Sequence, residues 1–465
     1  GSAVPVLAGA ADEPGPDHRF DLVVAGGRVM DPASGFDQVA DVGIDGGTVT
    51  AINGGPLEGR RVIEADGRVV APGFIDILSY DPNPFGIWFK IADGVTTNLG
   101  MHGINANARS WLARFSEEGS PAHFGGAFDD PWARAQLGIE PGQAATAAQV
   151  RALSGQAEEA LAAGWIGIDL EPEYTPGIDA AEIVALARVA AGAGVPVFFH
   201  GRYADPYPPG TNADTLAEVL ATARQSGAAV HVDHLVSTGG THTMARSLAT
   251  LDAARGEGVD VTACSYPYPY WAAYLASTRF DPGWQERFDI GYRDLSLAGS
   301  GKRLTPTSFR RYRAENRLAV ADGIPEADVR TALQSPWMIV ASDGILEPGA
   351  NNHPRGAGTF ARVLGRYVRE QGTLSLMDAL GRMTFLPAQR LEGAASALRR
   401  KGRVQRGADA DICVFDADAV VDRATVADPA RPSVGIDWVL VGGQVVKSPE
   451  GLHRERRPGQ PLRLG

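Results

Sequence analysis

Short apolar runs alternate with alanine-rich stretches along the middle of the chain. Each alanine-rich stretch has the composition of a helix and ends near a glycine, and the apolar run that follows is typical of a buried strand. The clearest units lead into WIGIDLE, VPVFFH and VHVDHL. Because several such units extend over roughly 300 residues, the pattern predicts an α/β fold, a (β/α)₈ TIM barrel over residues 71–401.

The two ends of the chain carry a different pattern, rich in β-branched residues. Runs such as FDLVVAGGRVMD and DVGIDGGTVTAI contain or flank Gly-Gly pairs, as hairpin turns require. A similar pattern returns at residues 408–421 and 435–446. Since neither part is large enough to bury its own faces, we expect residues 20–70 and 402–455 to form one small β-sandwich domain.

Two further segments depart from both patterns. Residues 278–318 are aromatic, charged and long, so we expect an inserted lid over the barrel mouth. Residues 1–19 are small and apolar and then abruptly polar. They fit the remnant of a secretory leader, which predicts a secreted or periplasmic protein, and they equally fit a disordered alanine-rich terminus of a cytoplasmic protein.

Composition and charge narrow the classes of function. The 465-residue chain is 44% hydrophobic and has a formal net charge of −12, which favours a globular enzyme and argues against nucleic acid as a partner. No apolar run is long enough to cross a bilayer, so we expect no membrane insertion. The two cysteines cannot form a disulfide framework or a cysteine-only zinc site. We expect a small-molecule substrate, and homo-oligomerisation is left open.

Three histidines and an aspartate lie where predicted strands end. His102 follows TTNLGM, His200 ends VPVFFH, His234 ends VHVDH and Asp343 follows WMIVAS. The carboxyl ends of barrel strands face the active site. Three imidazoles can hold Zn²⁺ and leave one position for a water, whose proton a nearby carboxylate can accept. A single histidine in this context is more often a packed residue, so it is the set that indicates a catalytic metal site.

The motifs around these residues resemble the metal-dependent amidohydrolases, and among them the N-acyl-D-amino-acid deacylases (D-aminoacylases). The resemblance extends from Phe20 to about Val446 and is most specific in SDGILEPGANNHPRGAG and GRVQRGADADICVFD. It implies a (β/α)₈ barrel with a β-sandwich domain, and hydrolysis of an amide C–N bond other than a peptide bond. His200 and His234 match two metal ligands of the family, and Asp343 matches its catalytic carboxylate.

Two metal-ligand motifs of the family are altered in this chain. Within APGFIDILSYD, Leu78 and Tyr80 occupy the places of an H-x-H pair, so that metal site should be missing. The family's G-N-C-G reads GMHG, so His102 replaces the ligating cysteine with another side chain suited to zinc. We therefore expect one zinc ion per chain, held by the three strand-end histidines. Whether Tyr80 contacts the metal is left open.

The resemblance also suggests residues around the substrate. The family's H-H-K reads HLV here, which removes a lysine that helps to hold the substrate carboxylate. Arg202 or Arg355 could replace it, or could tie loops together. Glu171 could be a general acid, a metal ligand, a contact for a cationic substrate or a solvated loop charge. Tyr266 and Tyr268 match the family's Y-P-Y, where a tyrosine hydroxyl polarises the scissile carbonyl, unless they pack against the lid.

These residues together predict a hydrolase of an N-acyl, cyclic-amide or similar C–N substrate. A metal-activated water would attack, Asp343 would serve as general base and then as acid to the leaving nitrogen, and Tyr266 or Tyr268 would stabilise the oxyanion. Alternatively, a protein with the same barrel could be a lyase, an isomerase or a small-ligand-binding protein without catalysis. The substrate and its stereochemistry are left open.

Overall fold

The first strands of the chain belong to a sheet at one end of the molecule. The computed structural model describes residues 3–208 and 210–465. Glycine at positions 46 and 47 allows the turn between the third and fourth strands, where φ is 53° and 82°. The strands of this part are β1 (Arg19–Phe20), β2 (Leu22–Asp31), β3 (Phe36–Asp45), β4 (Thr48–Asn53), β5 (Glu58–Gly59), β6 (Val62–Glu64) and β7 (Val69–Pro72).

Short buried strands then alternate with helices, as the apolar pattern predicts. The strands are β8 (Phe74–Asp76), β9 (Val95–Gly100), β10 (His123–Gly126), β11 (Phe128–Asp129), β12 (Ile168–Leu170), β13 (Val197–Phe199), β14 (Val230–Val232) and β15 (Val261–Ser265). The helices are α1 (Ile87–Ala92), α2 (Ala108–Glu118), α3 (Asp130–Gln136), α4 (Ala147–Ala162), α5 (Ala180–Ala193), α6 (Asn212–Ser226) and α7 (Met244–Gly256).

The boundaries of these helices follow from local sequence. Thr146, Asp179 and Thr211 cap the first turns of α4, α5 and α6 with side-chain oxygens that accept backbone N–H groups. Gly194 and Gly227 end α5 and α6 in the left-handed conformation that glycine adopts without strain. Each chain segment therefore returns to the next strand at a defined point, which fixes where the strand-end side chains lie.

The predicted lid, residues 278–318, is part of a small antiparallel layer that also includes β16 (Trp271–Tyr274) before it and most of β18 (Leu318–Ala321) after it. Its elements are the strands β16 (Trp271–Tyr274), β17 (Leu295–Leu297) and β18 (Leu318–Ala321), the helices α8 (Trp284–Phe288) and α9 (Pro306–Ala314), and the 3₁₀ turns Thr278–Phe280 and Tyr292–Asp294. The strands pair in the order β16-β18-β17. An aromatic cluster fills the space between the strands and helices: Trp271, Phe280, Trp284, Phe288 and Phe309.

The chain then returns to the parallel strands. The elements are α10 (Glu326–Gln334), β19 (Ile339–Val340), α11 (Arg355–Arg362), a π-helix (Val363–Glu370), α12 (Leu376–Met383), α13 (Phe385–Leu391) and a 3₁₀ helix (Ser396–Arg400). Parallel pairing joins β8, β9 and β10 in one sheet, and β11 to β15 with β19 in a second.

Single hydrogen bonds connect the edges of these two parallel sheets. Asp343 N donates to Leu78 O at 2.8 Å beyond β19 and β8, and Ile166 N donates to Gly126 O at 3.0 Å between β12 and β10. Within residues 3–208 and 210–465 the strand ladders themselves do not form a closed ring. The α/β class is as expected, and the closed eight-stranded barrel stays a prediction.

The last strands complete the sheet that the first ones began. They are β20 (Ile412–Phe415), β21 (Ile436–Val441), β22 (Gln444–Ser448) and β23 (Gly451–Leu452). The order is β23-β22-β21-β20-β7-β2-β3-β4, with β6 beside β2, so β7 and β20 join the two chain ends. The sheet curls so far that the backbone of Gly47 contacts the backbone of Gly442. A Cβ atom added at Gly47 would lie 2.7 Å from the carbonyl oxygen of Gly442. Both ends thus share one continuous sheet, and the β-sandwich domain stays a prediction.

The segment before β1 is packed against the far end of the chain. Leu7 N donates to Arg406 O at 2.9 Å, Arg406 N donates to Pro5 O at 3.0 Å, and the Arg406 guanidinium pairs with Glu13 at 3.1 Å. These contacts place Pro5, Leu7 and Glu13 beside Arg406, and the disordered or leader-derived segment over residues 1–19 stays a prediction; residues 1 and 2 lie outside the described part. Among the described helices, none is long and apolar enough to span a bilayer.

A buried ion pair holds together the strand ends that bear the site. Lys90 Nζ donates to Asp76 Oδ2 at 2.7 Å and to Ser342 Oγ at 2.6 Å, and both charged side chains are buried. Lys90→Met would leave Asp76 unpaired in the interior, so we expect the free energy of unfolding to fall by about 3–5 kcal/mol. Denaturant unfolding measures this. Lys302→Met, at an exposed lysine, is the control, and equal stability of both variants would contradict the assignment.

Candidate active site

One cavity of about 890 Å³ opens at the carboxyl ends of the parallel strands. His102 follows β9, His200 follows β13, His234 follows β14 and Asp343 follows β19, and all four line this cavity. His234 and Asp343 have φ angles of 27° and 49°, a left-handed backbone that is uncommon for residues other than glycine. The structure therefore brings the four strand-end residues into one site, at two points of strained backbone.

The three histidines converge on a common point. Each offers a ring nitrogen within 4.8 Å of the nitrogens of the other two. His200 Nδ1 lies 3.1 Å from His234 Nε2, and the ring of His102 stacks 5.5 Å from that of His200. All three side chains are buried. This arrangement fits a zinc site with three imidazole ligands and one open position.

Hydrogen bonds on the outer side fix the rings of His200 and His234. His200 Nε2 lies 2.7 Å from Glu173 Oε2. Because a carboxylate can only accept a hydrogen bond, Nε2 carries the hydrogen, and Nδ1 faces the other histidines with its lone pair. His234 Nδ1 lies 3.1 Å from both Ser237 Oγ and Thr238 Oγ1. Burial lowers the pKa of His234 well below its usual value, so it is neutral at neutral pH, as a metal ligand must be.

His102 lies against two carboxylates. Its Nδ1 is 3.2 Å from Glu171 Oε1 and 3.5 Å from Asp169 Oδ1. Among the residues described, Nδ1 and Asp169 Oδ1 are buried polar atoms without a hydrogen bond. Burial lowers the pKa of His102, but the charge of Glu171 outweighs it and raises the pKa well above the usual value. The buried ring nitrogen and the two carboxylates also lie close enough together to hold a cation.

Asp343 is held by two donors on its two oxygens. Tyr80 Oη donates to Oδ1 at 3.0 Å, and Arg355 Nη2 lies 3.0 Å from Oδ2, which is 3.7 Å from His234 Nε2. Burial opposes ionisation, but the neighbouring positive charge, that of Arg355 above all, outweighs it and holds the pKa of Asp343 below its usual range. Asp343 is therefore ionised at neutral pH and adjacent to the histidines.

Leu78 and Tyr80, which occupy the places of the family's two metal-ligating histidines, have other roles here. Leu78 is fully buried in the apolar core. Tyr80 lines the cavity, and burial together with the charge of Asp343 raises the pKa of its phenol well above 10. Tyr80 is therefore a neutral phenol whose hydroxyl donates to Asp343, rather than a tyrosinate suited to a metal.

Two of the predicted site residues lie outside the cavity. The Arg202 guanidinium pairs with Glu218 at 2.8 Å and donates to the carbonyl oxygens of Pro176 and Ile178, so it ties loops together. Tyr268 packs under the Arg362 guanidinium and does not line the cavity. The structure does not place Arg202 or Tyr268 in the cavity wall. Arg202 is held by Glu218 and two carbonyl oxygens, whereas the Tyr268 hydroxyl is buried without a hydrogen bond to a described residue.

The other three predicted residues line the cavity. Tyr266 is buried, and its hydroxyl makes no hydrogen bond to any described residue, while the Arg355 guanidinium lies 4.8 Å from its ring centre. Arg355 is committed to Asp343 rather than free for a substrate. Glu171 is 7% exposed and contacts His102, so it is not a solvated loop charge.

Sequence reasoning missed a set of residues that support the histidines from the lid. Arg279 Nη1 donates to Glu173 Oε2 at 3.1 Å and Arg279 Nη2 donates to Ser237 O at 3.0 Å. Thr278 Oγ1 adds a hydrogen bond to Glu173 O at 3.0 Å. One buried lid arginine thus contacts the supports of both His200 and His234. These residues have no shared motif, so no local signal could have identified them.

Glu173 should control metal affinity through His200. In Glu173→Gln the amide cannot polarise His200 Nε2–H as a carboxylate does, so we expect the zinc dissociation constant to rise about 10–100-fold. Competition with a chromophoric chelator measures it. Glu218→Gln, which removes a carboxylate from the Arg202 pair outside the cavity, is the matched control. Equal affinity of the two variants would show that Glu173 does not act on the metal site.

Comparison with known proteins gives a family match to the C-terminal part and relatives that match 92–96% of the chain. Residues 302–447 match the model of an amidohydrolase family. The chain is 34% identical to N-acyl-D-glutamate deacylase of Alcaligenes xylosoxydans xylosoxydans, over 96% of this chain and 97% of the relative. It is 31% identical to D-aminoacylase of the same organism, over 92% and 94%.

Solved structures match over a similar share. N-acyl-D-glutamate deacylase from Bordetella bronchiseptica, complexed with zinc and a phosphonate inhibitor, superposes with a TM-score of 0.83 at 30% identity, over 96% of this chain and all of the other. A crystal structure of D-aminoacylase gives 0.84 at 25% identity, with the same coverage.

Proposed function

Because the chain belongs to the amidohydrolase family, in its D-aminoacylase-like branch, we propose that it hydrolyses the amide bond of an N-acyl-D-amino acid or a closely related amide, with one zinc ion per chain. It is a hydrolase of carbon–nitrogen bonds other than peptide bonds. The observation that carries the proposal is the convergence of His102, His200 and His234 beside Asp343 in one cavity.

A closed (β/α)₈ barrel is part of this proposal. Two features support it. Only one residue separates β10 from β11, so the two act as one strand. A hydrogen bond just beyond β19 and β8 connects the outer edges of the two parallel sheets. The strand-end residues of both parallel sheets meet in one cavity, as the mouth of a barrel requires.

The residues fit a single zinc ion. His102, His200 and His234 would hold it, and the loss of ligands at Leu78 and Tyr80 supports one ion rather than two. Zinc bound there would supply a Lewis acid that activates water and polarises the substrate carbonyl. The ring nitrogens of the three histidines, which lie within 4.8 Å of one another, are the observation that supports this fit.

The chain's own groups would then move the protons. Asp343 Oδ2 lies 3.7 Å from His234 Nε2, the ring nitrogen that also faces His200, so it would accept a proton from the attacking water and return it to the leaving nitrogen. Arg355 and Tyr80 hold that carboxylate in place. The free hydroxyl of Tyr266 would donate a hydrogen bond to the carbonyl oxygen as negative charge develops there.

Amine release from N-acetyl-D-amino acids tests the proposed function. Protein stripped with a chelator and reloaded with one equivalent of zinc should release amine, whereas the stripped protein should not. The N-acetyl-L isomers are the matched control and should react more slowly. If zinc-loaded protein released no amine from any N-acyl-D-amino acid or cyclic imide, the proposed function would be wrong.

A further inference from the structure

His102 differs from the other two histidines in the groups around its outer nitrogen. The outer nitrogens of His200 and His234 have hydrogen-bond partners, a carboxylate and two hydroxyls. His102 Nδ1 instead faces Glu171 Oε1 at 3.2 Å and Asp169 Oδ1 at 3.5 Å. Both carboxylates are buried, and no arginine or lysine in the part of the chain that the structure describes forms an ion pair with either. Their charge therefore acts chiefly on His102.

The backbone around the two carboxylates fixes their positions. Asp169 lies on β12, and its Oδ2 accepts a hydrogen bond at 2.9 Å from the N–H of Gly103, the residue after His102. Glu171 follows the strand and begins a turn, in which its carbonyl oxygen accepts hydrogen bonds from Thr175 N and Thr175 Oγ1. Asp169 thus holds the backbone beside His102, and Glu171 Oε1 is the acceptor nearest to the imidazole.

The position of Glu171 decides which nitrogen of His102 is available to a metal ion. A carboxylate only accepts hydrogen bonds, so the hydrogen of a neutral His102 belongs on Nδ1, and Nε2 keeps its lone pair. The distance of 3.2 Å is within reach of a hydrogen bond, and a rotation of the ring about its Cβ–Cγ bond would align the N–H with Glu171 Oε1. A carboxylate in this place fixes the ring and makes the imidazole a stronger metal ligand.

We infer that Glu171 is a positioning residue, which holds His102 through Nδ1–H so that Nε2 joins His200 and His234 at the metal ion. The inference rests on the zinc site of the proposed function and gives Glu171 a role in metal affinity. It also has a direction. The carboxylate strengthens zinc binding only while the ligand beside it is a neutral imidazole, because it would repel the charge of an anionic ligand.

The zinc affinity of Glu171→Gln is the first arm of the test, measured by competition with a chromophoric chelator. We expect the zinc dissociation constant to rise about 10–100-fold. Asp129→Asn is the matched control, since Asp129 is a buried carboxylate of the same cavity whose oxygens accept the backbone N–H groups of Asn105 and Trp132 rather than contacting His102. It should bind zinc nearly as the wild type does. Unchanged affinity in Glu171→Gln, or an equal loss in both variants, would overturn the inference.

The second arm repeats Glu171→Gln in a His102→Cys background. Cysteine binds zinc as a thiolate, so the ligand beside Glu171 then carries a negative charge. Adding Glu171→Gln to His102→Cys should lower the zinc dissociation constant severalfold, opposite in sign to its effect on the wild type. A loss of affinity in both backgrounds would show that Glu171 does not act through the His102 imidazole, and would overturn the inference.

Cobalt in place of zinc reports the ligand at position 102 directly. The His102→Cys variants should show a thiolate-to-cobalt charge-transfer absorption that the wild type lacks, which a purely structural effect of Glu171 would not produce. If the absorption does not appear, the thiol is not a ligand, and Glu171→Gln against Asp129→Asn decides the inference.

Metal binding and turnover separate this inference from the proposed hydrolysis. Wild-type protein that binds zinc but releases no amine would contradict the hydrolysis alone, because the effect of Glu171→Gln on zinc affinity would still be measurable. Wild-type protein that binds no zinc after reconstitution would contradict both.

Discussion

The His102→Ala variant should lose both its zinc and its turnover. Two imidazoles without the third cannot hold zinc firmly, and Glu171 and Asp169 would then face an empty space without a cationic partner. We expect less than about a tenth of an equivalent of bound zinc and a fall in kcat/KM of at least about 10³-fold. Elemental analysis and the amine-release assay measure the two effects on the same preparation.

The control for that variant is a histidine outside the site. His242 is exposed in a loop with a left-handed backbone, so His242→Asn keeps a residue that tolerates this conformation. It should retain zinc and turnover. Undiminished turnover in His102→Ala, with the protein folded by circular dichroism, would show that the three histidines are not the catalytic metal site.

Asp343→Asn should separate chemistry from metal binding. The amide has nearly the same shape as the carboxylate but cannot accept a proton from water, so we expect kcat to fall by roughly 10²–10⁴-fold while one zinc ion stays bound. The substitution also leaves Arg355 buried without its carboxylate, which should lower the free energy of unfolding by about 3–5 kcal/mol.

The same measurements on Asp322→Asn provide the comparison. Asp322 pairs with Arg303 at an exposed position outside the cavity, so neither kcat nor stability should change appreciably. Loss of zinc from Asp343→Asn would make Asp343 a metal ligand rather than a base. Unchanged kcat would remove it from the mechanism.

The strand-end residues could be predicted from sequence because their signal is local. A buried strand of known direction places the next polar residue at the carboxyl end, and His102, His200, His234 and Asp343 each follow such a run. The helices could be predicted for the same reason, since caps such as Thr146 lie beside the turns that they begin.

Predictions from sequence failed for side chains whose contact partners are distant along the chain. Arg202 reaches Glu218 on α6, and no pattern within FHGRYAD indicates that contact. Arg279 and Glu173 are 106 positions apart and meet only when the lid folds over the strands. Tyr266 and Tyr268 come after β15 has ended, so strand alternation no longer decides which of them faces the cavity.

The sheet shared by the two ends shows a third limit. The sequence pattern predicts that the two β-rich parts pair, and β7 and β20 do pair, but curvature of the sheet is a property of the whole assembly. Gly47 and Gly442 meet because of that curvature, which neither hairpin specifies alone. The secreted or periplasmic location stays a prediction from residues 1–19.

One catalytic zinc ion should be held by the three histidines. This is tested most directly by zinc content per chain, measured by elemental analysis on protein purified without added metal and again after reconstitution. We expect one equivalent of zinc in both samples. Two equivalents would mean that other residues replace the lost H-x-H site, and no stoichiometric zinc after reconstitution would contradict the metal-dependent mechanism.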